Sequence, residues 1–163
     1  MKRNQRRIIS PIQCWDIFSK YLTEIPFIKK RQQDIDQLDK LGDQYSWSVK
    51  FEELLDQDYL ALVVTDASQR IQWVNPGFSK MTGYSSTYAL GRTPHFLQGP
   101  QTSKLSKDNI RKNIMEERQF SERITNYRKN GDRYLCEVKI YPLKDHNDTT
   151  THYIAVEKEV IAA

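Results

Sequence analysis

Histidine, cysteine and long apolar runs are what this 163-residue sequence has little of. Three scattered histidines give no zinc or facial-triad spacing. The two cysteines, Cys14 and Cys136, stand far apart and form no CxxC pair. No apolar run approaches a membrane span, and no apolar core follows the first charges as in a secretory leader. A reducing, cytoplasmic setting is the resulting expectation. There is no internal repeat and no low-complexity tract. No nucleophile–base pair stands at recognisable spacing and no loop cradles phosphate, so the sequence reads as non-enzymatic.

What is present is charge and clustered apolar residues. Lysine and arginine number 25 against 21 acidic residues, a net charge of +4. Part of the surplus is Lys2, Arg3, Arg6 and Arg7, read as a solvated basic tail. No aromatics interleave with it, so a nucleic-acid partner is not expected. Residues 1–58 read as this tail plus an amphipathic helical extension, and residues 59–163 as one compact domain. Ser10-Pro11 marks a helix start. Ile12, Trp15, Phe18, Leu22 and Ile25 give its stripe until Pro26 interrupts it. A second helix is predicted from about Phe27 to Leu41, on Ile28, Ile35, Leu38 and Leu41, with Gly42 as its stop. The stripe is expected to pack on the domain or on a second copy of it. Residues 43–58 read as a polar connector anchored by Tyr45 and Trp47.

The domain opens with a hairpin: Leu60–Thr65, a turn at 66–69, and Arg70–Val74. Asn75-Pro76 starts a short helix that stops at Gly83, and Ser85 or Ser86 caps another. A longer helix is predicted from Ser103 to about Glu117, with Leu105, Ile110, Ile114 and Met115 on its apolar side. Strands 120–127 and 133–143 flank Asn130-Gly131, a strong hairpin signal. A last strand covers about 150–159, with Tyr153, Ala155 and Glu157 on one face. The predicted class is α+β: a five-stranded antiparallel sheet with short helices on one face, preceded by the helical extension.

Between the short helices and the longer one lies Gly91-Arg92-Thr93-Pro94-His95-Phe96-Leu97-Gln98-Gly99-Pro100. It resembles the signature Gly-Arg-Asn-Cys-Arg-Phe-Leu-Gln-Gly-Pro of the light-oxygen-voltage (LOV) branch of the PAS family. Asn75-Pro76-x-Phe78 with Thr82-Gly83-Tyr84, and Asn126-Tyr127-x-Lys129-x-Gly131, resemble two further family stretches. The resemblance covers about a hundred residues, from Leu62 to about Glu159. It implies a pocket between helices and sheet, where the family holds flavin mononucleotide. Gln98, Arg111 and Asn126 match residues that contact its ribityl chain, its phosphate and its pyrimidine edge. The departures are Thr93 for an asparagine, Pro94 for the adduct-forming cysteine, His95 for a phosphate-binding arginine, Cys136 for a second ring-binding asparagine, and Glu157 for the glutamine of the last strand.

Each departure has a chemical consequence. Adduct formation needs a thiol beside the ring, and proline supplies neither a nucleophile nor a backbone donor. Unpaired ligand groups opposite Cys136 would cost roughly 1–3 kcal/mol. His95 loses a charge-assisted contact. An ionised Glu157 would be repelled by ring carbonyls, whereas a protonated one would mimic the glutamine as donor. Together these changes weigh several kcal/mol against bound flavin. The expectation is a sensor or interaction module of bacterial-type signalling, unable to form the cysteinyl adduct. Its expected partners are a signalling protein or a second copy through the N-terminal helices, and its ligand is left open. The alternative is a cysteine-less, flavin-binding photoreceptor or redox sensor. Glu157, a carboxylate on an otherwise apolar face, is expected to find a partner in Asn126 or in a ligand.

Overall fold

The computed structural model describes residues 11–161, apart from side chains in the first turns of the N-terminal helix. The basic lead over residues 1–9, Ser10, Cys14, and the Ile12, Trp15 and Phe18 positions of the stripe lie outside what is described.

The alternating stretches form one antiparallel sheet. Its strands are β1 (Ala61–Asp66), β2 (Ile71–Val74), β3 (Phe120–Tyr127), β4 (Arg133–Lys144) and β5 (Thr150–Val160). The spatial order is β2-β1-β5-β4-β3, which puts the last strand at the centre. Gly131, at φ 91°, closes the β3–β4 turn in a conformation that favours glycine.

The N-terminal extension is one helix, α1 (Pro11–Tyr45), and not two helices parted at Pro26. Proline removes one helical hydrogen bond and crowds the carbonyl four residues earlier. Here both Leu22 and Pro26 are exposed, so solvent can satisfy what the ring disrupts. Gly42 is not the stop either. It is buried inside the helix, where a Cβ would lie 3.5 Å from the Phe51 ring, and the chain leaves the helix at Ser46, φ 58°. The connector also contains a short helix, α2 (Phe51–Leu54), whose Phe51 is buried.

The stripe of α1 is only partly used. Ile35 and Leu38 are buried, whereas Ile28 is 60% exposed. With Trp47, Phe51, Leu55 and Tyr59, the two buried residues pack on one face of the sheet, against Leu62, Val64, Leu143, Ile154 and Val156. A buried carboxylate fixes the dock: Asp34 accepts from the Tyr59 hydroxyl at 3.1 Å and from Asn75 Nδ2 at 3.0 Å. Replacing the fully buried Leu38 by alanine is expected to cost about 2–5 kcal/mol, read as a lowered urea midpoint at unchanged slope.

The opposite face carries the short helices. These are α3 (Pro76–Thr82), α4 (Ser86–Ala89), a single 3₁₀ turn (Pro94–Leu97) and α5 (Lys104–Met115). Asn75, Ser85 and Ser103 cap α3, α4 and α5 through their side chains. Of the apolar side expected for α5, Ile110 and Ile114 pack against the core. Leu105 and Met115 face outward, 70% and 78% exposed.

Candidate functional site

Between α5, the 3₁₀ turn and the sheet lies a cavity of about 1010 Å³, counted with its open mouth. Its walls are apolar and include Val63, Ile71, Phe78, Leu97, Ile124 and Val138. Strand alternation puts them there: each strand that lines the cavity sends every second residue to this face.

Seven of the eight sequence-predicted positions line this cavity: Pro94, His95, Gln98, Arg111, Asn126, Cys136 and Glu157. Thr93 does not. It precedes the 3₁₀ turn, and its hydroxyl lies 3.2 Å from His95 Nδ1. Arg92, exposed at the start of the signature, donates to the Tyr88 carbonyl at 2.9 Å and stacks over the Tyr88 ring.

The polar lining divides by depth. Asn126, Cys136 and Glu157 are buried, whereas His95 and Arg111 are exposed. The three buried residues form a diagonal across the sheet. Cys136 on β4 stands opposite Ile124 and Glu159, so Asn126 and Glu157 are each displaced from it by two residues. Such diagonal neighbours lie about 7–8 Å apart. Cys136 is the smallest of the three side chains, so the row dips at its centre between an amide and a carboxyl.

Glu157 lies at the end of that row, 8% exposed. The Cys136 thiol lies close to its carboxyl, and Oε2 has no hydrogen-bond partner. Asn126 is therefore not its partner, as the sequence had suggested; it sits two strands away, beyond Cys136. Burial raises the Glu157 carboxyl from its ordinary 4.5 to about 7. Burial, and next the Glu157 charge, push the Cys136 thiol far above its ordinary value, so it is a protonated, unreactive group at neutral pH.

The mouth is cationic. Arg111 lines it from α5, with Asp108 3.9 Å away as an exposed partner. Lys107, one helical turn before Arg111, also lines the cavity and was missed in the sequence, as was Gln69. The only signal for Lys107 was its i,i+4 spacing from Arg111, which places the two on one helix face. Among the described residues there is no cluster of potential metal ligands and no helix long and apolar enough to cross a membrane.

A central β5 flanked by β1 and β4, with short capped helices enclosing a cavity over one face, defines the architecture of the domain. The chain belongs to the PAS domain family, which matches residues 60–160. Within that family its relatives include blue-light photoreceptors. A blue-light photoreceptor of Listeria innocua is 36% identical over 109 residues, 65% of this chain and 43% of that protein. A nitrogen fixation regulatory protein of Klebsiella oxytoca is 26% identical over 110 residues, 68% of this chain and 22% of that protein. The chain thus spans less than half the length of these relatives. Among solved structures, the light-state LOV domain of the blue-light photoreceptor Aureochrome1 superposes with a TM-score of 0.63 at 32% identity. That match covers 67% of this chain and 88% of that one.

Proposed function

We propose that this chain is a non-enzymatic PAS sensor module of signal transduction, whose cavity holds a small planar molecule with no thiol bond to it. One observation carries the reading: an apolar cavity ends at a buried carboxyl oxygen that no protein group satisfies. A buried polar atom left unpaired costs free energy, and a ligand that meets it recovers that cost. Pro94 lines the cavity with no nucleophile to offer, and Cys136 is held as the neutral thiol. Output would pass to a signalling partner or to a second copy. The exposed Leu22, Phe27 and Ile28 of α1 support a contact there.

A second reading, bound flavin mononucleotide, is favoured by the lining itself. Gln98, Arg111 and Asn126 all line the one cavity. Lys107 adds a cation where His95 replaces the expected arginine, and a neutral Glu157 supplies a donor. In that arrangement Lys107 and Arg111 would hold the phosphate, Gln98 the ribityl chain, and Asn126 with Glu157 the ring edge. The flavin would bring blue-light absorption and reversible reduction.

Mass spectrometry of whatever the purified protein releases on denaturation is the test, with an absorption spectrum taken first. A yellow protein releasing one flavin per chain supports the second reading. A colourless protein releasing another heterocycle supports the first alone. Release of nothing overturns the ligand-holding role, and a light-induced thiol–flavin bond overturns the adduct-free one.

A further inference from the structure

The buried end of the cavity holds a carboxyl but no cation. We infer that ligand capture here is linked to uptake of a proton on Glu157, which as a neutral acid donates from Oε2 to a carbonyl oxygen or ring nitrogen of the ligand. This rests on the reading that the cavity takes a planar heterocycle.

The neighbours of Glu157 leave the neutral form as the one a ligand would meet. From β4 they are the Cys136 thiol and the Tyr134 hydroxyl, both pushed upward by burial and by Glu157, and neither is a cation. Arg128, stacked over the Tyr134 ring, is engaged by Glu159 in a paired contact at 2.7 Å and 2.8 Å. Lys107 and Arg111 from α5, and His95 from the 3₁₀ turn, line the same cavity. Arg111 and His95 are exposed, unlike the buried diagonal that ends at Glu157. A ring seated over Cys136 would displace water from Glu157 and bring no positive charge. The ionised carboxylate would then lose solvation with no compensating partner. The neutral acid loses far less, and its proton has a use, because Oε2 has no protein acceptor or donor. Amide side chains such as Asn126 recognise ring edges at any pH; a carboxyl does so in only one protonation state.

The sign follows from linkage. The empty protein releases the Glu157 proton near pH 7, and a ligand that requires the proton raises that value. Affinity is therefore full in acid and falls as pH rises through 7, by about tenfold between pH 6 and pH 8.

Flavin mononucleotide serves as the probe, titrated by fluorescence into the ligand-stripped full chain from pH 5.5 to 8.5, beside Glu157→Gln. The ratio of the two affinities at each pH cancels every titration common to both proteins, that of the probe's phosphate included. The expected result is a ratio that falls about tenfold between pH 6 and pH 8 as wild-type binding weakens. A flat ratio with measurable binding overturns the proton linkage and leaves the cavity reading standing. Wild-type affinity that rises with pH, relative to the glutamine variant, also overturns it, in favour of ligand donors facing a carboxylate. No binding by either protein at any pH overturns the inference together with the flavin reading.

Discussion

A Gly77→Ala chain is expected to lose about 4 kcal/mol or more of stability, enough to unfold a domain whose total is about 5–15 kcal/mol. A Cβ at this position would run into the carbonyl oxygen of Leu60. That carbonyl cannot simply withdraw. The Leu60 amide donates to the Glu157 carbonyl at 2.8 Å, extending the β1–β5 pairing. Its oxygen accepts from Lys30 Nζ at 3.2 Å and from Asn75 Nδ2 at 3.4 Å. Shifting it would disturb the α1 dock, the α3 cap and the central strand pair together. Urea unfolding followed by far-ultraviolet circular dichroism reads the effect. A midpoint equal to that of the parent chain would contradict the close approach.

The stability gained by Glu157→Gln should grow by roughly 3 kcal/mol between pH 4 and pH 8. The carboxyl titrates at about 7 in the folded chain against an ordinary 4.5, because burial penalises its charge. Below pH 4.5 both folded and unfolded chains carry the proton, and Glu157 exerts no penalty. From pH 4.5 to pH 7 the unfolded chain releases its proton while the folded chain holds it, so stability declines. Above pH 7 both have released it and the loss is complete. Glutamine has nothing to titrate, so subtracting its stability profile isolates this one group from the other acids. Parallel profiles for the two proteins would mean that the carboxyl is solvated in the native state.

The sheet was legible almost to the residue because its signals are local. Period-two alternation marked β3, β4 and β5, and Asn130-Gly131 marked the turn between β3 and β4. The cap at Asn75 was legible for the same reason, the next was narrowed to Ser85 or Ser86, and Ser103 was read as the start of a helix without its capping role. The long helix was misread because a proline is a strong local stop only where the freed carbonyl has no solvent to meet. At Leu22 and Pro26 it has solvent. Arg31, between the apolar positions Ile28 and Ile35, reaches the Glu52 carbonyl at 3.0 Å and Asp56 at 3.2 Å, so it helps to dock α1. No sequence period encodes such a reach.

The pocket was legible through family resemblance more than through spacing. Four of the seven positions belong to two motifs, the 91–100 signature and the Asn126 stretch, while Arg111, Cys136 and Glu157 were matched singly on α5, β4 and β5. Lys107 was not legible, since a lysine on an amphipathic helix reads as solvated until the sheet beneath it is placed. Glu157 stood out by polarity alone. Its neighbour did not, because Asn126 and Cys136 share its face and only strand order tells which is adjacent.

Strand β5 is a party wall one residue thick. Ala155 and Glu157 look into the cavity, while Ile154 and Val156, which alternate with them, are seated in the layer beneath α1. Were the cavity to take a guest that shifted β5, the same movement would alter the bed on which the long helix lies.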